Sequence, residues 1–141
     1  MPEAGCVFCN PTAESVLWSD ARCRVLHVTD TKFTGFCRVV WNAHVTEFTD
    51  LDDAARAHVM SVVCAVEKAL RRLLAPDKIN LASLGNQVPH LHWHVIPRFR
   101  DDSHFPDAIW AAPHRAGAVR SAPRDFAQRV KEALDTALRS R

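Results

Sequence analysis

Residues 90–96 read His90-Leu91-His92-Trp93-His94-Val95-Ile96, with a histidine at every second position and apolar side chains between them. Successive side chains of a β-strand point to opposite faces, so this run predicts a strand with three imidazoles on one face. Neighbouring histidines would lie roughly 6.5–7 Å apart, close enough to surround one small anion. Imidazole serves as nucleophile, proton carrier and metal ligand near neutral pH. The stretch therefore predicts a β-sheet with a chemically active face, because a merely solvated face needs no histidines.

The length and composition of the chain favour one soluble globular domain covering residues 1–141. Of its 141 residues, 48% are hydrophobic and 24% charged, and the formal net charge is only +2. So small a charge gives no reason to expect a nucleic-acid partner. The chain has no run of about 20 apolar residues that would span a membrane, and its first residues do not resemble a signal peptide. We therefore expect a cytoplasmic protein without a membrane partner.

The segments around the histidine run predict an α+β fold, with an antiparallel sheet of about five strands, one long helix and a C-terminal helix. Apolar residues recur every three or four positions from Leu51 to Ala75, with Thr49 or Asp50 as the cap and Pro76 as the stop. The C-terminal helix covers about 123–139, with Phe126, Val130, Leu134 and Leu138 on its buried side. The predicted strands are Val16–Trp18, Arg22–Val28, Cys37–Trp41, Lys78–Leu84 and His90–Ile96.

Cysteine usage indicates free thiols with one close pair. The five cysteines are Cys6, Cys9, Cys23, Cys37 and Cys64. An odd number in a reducing compartment argues against a disulfide framework. Cys23 and Cys37 are expected to pack in the sheet, and Cys64 in the core, since its neighbours are apolar. The spacing of Cys6-Val7-Phe8-Cys9 suits two thiolates on one tetrahedral metal, although two ordinary reduced thiols or a redox pair fit the same spacing.

The histidine run resembles the signature of the histidine triad (HIT) family, in which three histidines alternate with apolar residues. The likeness extends to Cys6–Cys9, to Val39–His44 and to Pro97-Arg98. It implies a HIT-like fold and a nucleotide hydrolase or nucleotidyl transferase that acts at an α-phosphate. Dinucleoside polyphosphates and nucleoside phosphoramidates are the implied substrate classes. Relatives commonly form homodimers, so the resemblance also implies pairing of two copies.

The same resemblance implies roles for the catalytic histidines His90, His92 and His94. His92 would attack the α-phosphorus and form a covalent nucleotidyl-histidine, which water then resolves. His94 would donate to a non-bridging phosphate oxygen. Relatives with the N-terminal cysteine pair hold a structural zinc through four matching residues. The resemblance therefore implies a structural zinc here, with the ligands Cys6, Cys9, His44 and His90. Nothing in the sequence calls for a cofactor in catalysis itself.

Substrate-binding residues are expected around the triad. Asn86 and Gln87 lie in the loop before it, where uncharged donors can bind phosphate oxygens. Arg98 follows the strand and suits the leaving phosphates, although a solvated cation is an equal alternative. The residue that grips the ribose in relatives would fall at Val28, with Asp30 as the nearest substitute.

One departure from the family pattern gives a rival function. Many members carry a fourth histidine where this chain has Phe36. The alternative is a zinc-stabilised nucleotide-binding or interaction protein with little catalysis. A hydrolase with three histidines around a catalytic zinc is a further alternative, but strand spacing suits it poorly.

Histidines and a tryptophan outside the triad receive simpler expectations. His104 and Trp110, in the irregular stretch after the strand, are candidates for a lid, although loop packing explains Trp110 as well. His27 and His58 fall within regular segments and are expected to be structural or exposed. His114 has no partner that the sequence reveals.

Overall fold

The computed structural model describes residues 2–139, which form one five-stranded sheet with two α-helices. The strand order is β1-β2-β3-β5-β4, and every neighbouring pair is antiparallel. This architecture confirms the predicted α+β class. The strands are β1 Val16–Ser19, β2 Cys23–His27, β3 Cys37–Trp41, β4 Lys78–Ala82 and β5 His92–Arg98.

The long helix α1, Asp53–Leu74, begins two residues later than predicted. The carboxylate of Asp52 accepts from the backbone N–H of Ala55 and caps the helix, so the predicted caps at Thr49 and Asp50 are wrong. Those two residues belong to a short 3₁₀ turn, Phe48–Asp50. At the other end Ala75 takes a left-handed conformation (φ 47°), and the helix stops before Pro76 as predicted.

The C-terminal helix α2, Phe126–Leu138, packs against α1 and β1. Its buried side chains are those that the three- and four-residue spacing predicts, namely Phe126, Val130, Leu134 and Leu138. Burying an apolar stripe of this kind is the main source of stability for a helix of this length. Between residues 2 and 139, neither helix is both long enough and apolar enough to cross a membrane.

The two faces of the sheet differ in composition, and this difference positions the site. One face packs against the helices through Val25, Val39 and Val95, which belong to the main core. The opposite face carries the side chains of His92 and His94, because alternate residues of β5 point away from the core. In the β3–β5 register, Val40 lies opposite His92 and Arg38 opposite His94.

Two details of the fold correct the sequence-based expectations. Strand β5 runs from His92 to Arg98, so His90 precedes the strand instead of starting it. Cys64 lies on the exposed side of α1, because the apolar stripe that enters the core consists of its neighbours Val62, Val63, Ala65 and Val66. Cys23 and Cys37 are fully buried in the sheet, as expected.

Candidate active site

His92, the first residue of β5, has a ring whose tautomer is fixed by the backbone. Its Nδ1 lies 2.6 Å from the carbonyl oxygen of His90. A carbonyl oxygen only accepts, so the hydrogen of the neutral ring sits on Nδ1 and the lone pair on Nε2. Burial lowers the pKa of His92, and the charge of Arg38 lowers it further, against the opposing effect of this hydrogen bond. His92 is therefore a neutral imidazole at pH 7, with its lone pair on Nε2.

His94 shares the face of His92 and completes a pair of neutral imidazoles. The two ring centroids lie 5.0 Å apart with the rings nearly perpendicular, at 84°. Burial, followed by repulsion from His92 and Arg38, lowers the pKa of His94 to about 4. Its Nδ1 is buried and has no hydrogen-bond partner within residues 2–139. A buried ring nitrogen without a partner is rare in folded proteins and calls for an explanation.

Phe36, where the family resemblance implies a fourth histidine, packs against His94. The Phe36 ring is only 3% exposed, and its centroid lies 5.5 Å from that of His94 in an edge-on contact. Phe33 and Ile96 complete the apolar cluster around it. An aromatic edge contact therefore takes the place of an orienting hydrogen bond at this position.

Arg38 is a site residue that the sequence interpretation missed. It lies opposite His94 in the register of β3 and β5, and its guanidinium carbon lies 5.3 Å from the centroid of the Phe36 ring. The alternation of side chains in Cys37–Trp41 would have placed Arg38 on one face of a strand. What the sequence does not reveal is that β3 lies directly beside β5, since α1 and β4 separate the two strands along the chain.

His90 belongs to a cluster of four metal-binding side chains, whose members are Cys6, Cys9, His44 and His90. The Nδ1 atom of His90 lies 3.3 Å from Cys6 Sγ, 3.5 Å from Cys9 Sγ and 3.2 Å from His44 Nδ1. Cys9 Sγ lies 3.3 Å from His44 Nδ1. The edges of a tetrahedron around zinc measure roughly 3.3–3.8 Å for such ligands, given usual Zn–N and Zn–S bond lengths. The four donor atoms therefore fit one tetrahedral zinc ion.

The hydrogen bonding of His90 leaves the correct nitrogen free for a metal. Its Nε2 lies 2.6 Å from the carbonyl oxygen of Trp41 and must donate to it, which leaves the lone pair on Nδ1. The ring of Phe8 contacts both His90, at 5.6 Å, and His92, at 4.9 Å. The three histidines thus do not share one strand face as predicted, because the N-terminal cysteine turn draws the side chain of His90 into the cluster.

The loop residues predicted to bind substrate are exposed. Asn86 and Gln87 both lie on the surface, and Gln87 borders a cavity of about 470 Å³ that also reaches Cys6 and His44. Asp30 is likewise exposed, and its charge acts on Arg38 and opposes the lowering of the Arg38 pKa by burial. Their roles in substrate binding remain predictions.

Arg98 does not face the site, which corrects both expectations for it. Its side chain is buried, with the residue only 1% exposed, and its Nε and NH2 atoms donate to both carboxylate oxygens of Asp102 at 2.8 and 3.0 Å. Its NH1 atom donates to Asn80 at 2.8 Å. Each of the three guanidinium nitrogens therefore donates to a side chain of the protein itself, as in a buried structural ion pair.

The two lid candidates have different environments. His104 is buried, where its Nδ1 pairs with Ser103 Oγ at 2.7 Å and its ring contacts Phe33. Trp110 is 51% exposed, and its ring centroid lies 5.1 Å from that of His94. Only Trp110 therefore combines an accessible aromatic surface with contact to the triad.

The other histidines pair or pack elsewhere. His27 contacts the ring of Phe126, and His58 Nε2 lies 2.6 Å from a carboxylate oxygen of Asp20. His114, for which the sequence reveals no partner, has its Nε2 2.8 Å from a carboxylate oxygen of Asp107.

A second group of metal-binding residue types joins Asp20, Cys23 and His58. Burial raises the pKa of the Cys23 thiol to about 12, with a further contribution from Asp20. Without a metal, the Cys23 thiol is therefore protonated near neutral pH.

Comparison with known proteins places this fold and site in one family. The model of the HIT domain matches residues 11–101, which is more than half of the chain. The chain belongs to the HIT family, which comprises nucleotide-binding proteins and nucleotide hydrolases and transferases. Over 88 residues it is 30% identical to a nitrilase and fragile histidine triad fusion protein of Drosophila melanogaster, and over 75 residues 32% identical to an uncharacterized HIT-like protein of Borreliella burgdorferi. These matches cover 59% and 48% of this chain, but 19% and 54% of the relatives.

Solved structures show the same architecture. A histidine triad protein from Sinorhizobium meliloti superimposes with a TM-score of 0.70 at 26% identity, covering 85% of this chain and 89% of that one. One from Bradyrhizobium japonicum gives 0.65 at 26% identity, covering 88% and 91%. A zinc-bound family member from Mycobacterium smegmatis gives 0.66 over 97% and 98% at 18% identity, which supports the fold alone.

Proposed function

We propose that this protein cleaves nucleotides at the α-phosphate through a covalent nucleotidyl-histidine on His92, with a dinucleoside polyphosphate or a nucleoside phosphoramidate as substrate. The observation that carries the proposal is the 2.6 Å contact of His92 Nδ1 with the carbonyl of His90, because it leaves the Nε2 lone pair free for attack. The lowered pKa values of His92 and His94 support it, since protonated imidazole is not a nucleophile.

The reaction has two displacements. Nε2 of His92 attacks the α-phosphorus, a P–N bond forms, and the bond to the leaving phosphate or amine breaks with its electron pair going to the leaving group, an amine also taking up a proton from solvent. Water then attacks the same phosphorus and releases a proton to solvent, the P–N bond breaks, and the ring regains its lone pair while a nucleoside monophosphate leaves with the oxygen from water. A ring N–H of His94 donates to the oxygen on which negative charge accumulates.

We further propose that the cluster of Cys6, Cys9, His44 and His90 holds a structural zinc. The tetrahedral separation of the donor atoms and the free Nδ1 of His90 support this role. Zinc bound there would cross-link the N-terminal turn to the residue whose carbonyl orients His92. His90 would therefore be a positioning residue for catalysis. Asn86, Gln87 and Asp30 remain proposed substrate contacts, and homodimerisation and a cytoplasmic location remain predictions from the sequence.

A second candidate function is nucleotide binding with little catalysis, and Phe36 favours it. An aromatic edge positions the His94 ring, but it cannot exchange a proton or share a hydrogen bond with the site. Both candidates bind a nucleotide, so formation of the covalent intermediate separates them.

Trapping on His92 is the decisive experiment. Wild-type protein, His92→Gly and the control His114→Ala are mixed with an α-³²P-labelled dinucleoside polyphosphate or nucleoside phosphoramidate, denatured without acid and separated by electrophoresis. His114 is exposed, and its side chain pairs with Asp107. We expect label on the wild type and on His114→Ala, and none on His92→Gly. Nucleotide binding without label in the wild type would establish the second candidate instead.

A further inference from the structure

Three arginines on or beside the catalytic face of the sheet differ in their partners. Arg24 donates to both carboxylate oxygens of Glu14, at 2.9 and 2.8 Å, and Arg98 does the same with Asp102. Within residues 2–139, Arg38 makes no hydrogen bond or ion pair of this kind, and its Nε is buried without a partner. An unpaired polar group that is buried costs free energy, so such a group requires an explanation.

The unpaired Nε of Arg38 has an unpaired neighbour. His94, which faces Arg38 across the β3–β5 pair, has a buried Nδ1 that also lacks a partner within the described chain. Residues opposite each other on antiparallel strands have Cβ atoms about 4.5–5.5 Å apart on the same face. Two residues that each have a buried nitrogen without a partner therefore face each other across the strand pair, and one of them, His94, contacts His92.

The aromatic ring beneath both residues holds this pair in place. The Phe36 ring lies 5.3 Å from the Arg38 guanidinium carbon and 5.5 Å from the His94 ring centroid. The guanidinium remains charged at every physiological pH, and its planar donors match the oxygens of a phosphate. Within residues 2–139 the charge of Asp30 acts on the guanidinium but forms no ion pair with it, so this position fits an anion supplied by a ligand.

We propose that Arg38 is the phosphate-binding cation of this site, and that Arg38 Nε and His94 Nδ1 both donate to the phosphate group of a bound nucleotide. This inference rests on the proposed nucleotide chemistry at His92 and assigns the binding of the phosphate to a residue outside the histidine motif. Phosphate binding at Arg38 would oppose the negative charge that accumulates during attack by His92. Arg38 thus provides a cation where Phe36 provides none.

Calorimetric titration with adenosine 5′-monophosphate and with adenosine tests this assignment, because the two ligands differ only in the phosphate. The variants are Arg38→Met and Arg38→Lys, with Arg22→Met as the control in the exposed turn between β1 and β2. We expect Arg38→Met to weaken monophosphate binding roughly 10- to 100-fold, as for the loss of charge-assisted hydrogen bonds. Arg38→Lys should retain part of the affinity, while adenosine binding and the control change less than about threefold.

A measurement on the wild type covers the case of a variant that does not fold. In a ¹H–¹⁵N spectrum, the Nε–H signal of Arg38, assigned by its loss in Arg38→Lys, should shift with the monophosphate and not with adenosine. Three results would each overturn the inference: an equal loss of affinity for the monophosphate and for adenosine in Arg38→Met, no loss of affinity in Arg38→Met, or an Nε–H signal of Arg38 that does not shift with the monophosphate. The trapping of label on His92 tests the hydrolase proposal separately. If the preference for the monophosphate depends on Arg38 but no label is trapped, only the hydrolase proposal is refuted.

Discussion

The indole of Trp110 lies against the imidazole of His94, with ring centroids 5.1 Å apart at 64°, while about half of its surface remains exposed. Trp110 is part of the irregular stretch between β5 and α2, which folds back over the catalytic face. An accessible aromatic ring beside a phosphate site is a natural platform for a nucleobase or a leaving group.

Replacing Trp110 is expected to weaken nucleotide binding. Trp110→Ala should lower the affinity for adenosine 5′-monophosphate about tenfold, because stacking on an aromatic ring contributes roughly 1–3 kcal/mol per base. Trp110→Phe should keep the affinity but lose the fluorescence quenching that the nucleotide causes. Val119→Ala, at an exposed position of the same stretch, is the control. Unchanged affinity in Trp110→Ala would assign Trp110 to loop packing.

Arg98 is expected to matter for stability and not for phosphate binding. Removing one partner of a buried ion pair leaves the other uncompensated, so Arg98→Met should lower the free energy of unfolding by about 3 kcal/mol. Urea denaturation followed by circular dichroism measures this change. The control Arg129→Met, on the exposed side of α2, should stay within about 0.5 kcal/mol of the wild type. A stable Arg98→Met variant with weakened monophosphate binding would restore the substrate-binding role.

The buried His94 is expected to make the fold sensitive to mild acid. Its pKa is about 4 in the folded protein and 6.5 when unperturbed, so below pH 6.5 the unfolded state takes up a proton that the folded state does not. Stability is therefore lost as the pH falls from about 6.5 towards 4, by about 2 kcal/mol between pH 7.5 and 5 from this residue. His94→Gln should remove that share of the loss in urea titrations at the two pH values. His114→Gln should keep the whole pH dependence.

Zinc binding is expected to depend on Cys9 and not on Cys64. Cys9→Ser removes one ligand of the four-residue cluster and should reduce bound zinc, measured by mass spectrometry, well below one ion per chain. Wild-type protein should melt about 8 °C lower after chelation, if free zinc had exceeded its dissociation constant about 100-fold. Cys64→Ser, on the exposed side of α1, should match the wild type in both measurements. A wild type that contains no zinc after growth with zinc would contradict the prediction.

Amphipathic periodicity predicted most of the fold, because the spacing of apolar residues within each helix or strand indicates which of its faces is buried. The buried stripe of α2 illustrates this, since the spacing of Phe126, Val130 and Leu134 alone places them on one side. The start of β5 was harder to predict from the sequence. The side chain of His90 is drawn towards residues more than 80 positions earlier in the chain, and no local pattern contains that information.

The site residues that belong to a sequence motif could be predicted, whereas the roles that depend on tertiary contacts could not. Alternation identified His92 and His94, but the neutral Nε2 of His92 follows from a backbone hydrogen bond that only the folded chain shows. Arg98 was misread because Asp102 returns to it after a tight turn. Arg38 was missed because its place beside His94 comes from the strand order and not from nearness in the chain.

The match to the HIT domain covers residues 11–101, yet parts that support the catalytic face lie on both sides of it. Ahead of it come Cys6, Cys9 and the Phe8 ring that contacts His90 and His92. Directly after it come Asp102, the counter-ion of Arg98, and then Trp110. A chain trimmed to residues 11–101 would keep His90, His92 and His94 but would lose the aromatic rings that contact His92 and His94 from outside the matched range, Phe8 and Trp110.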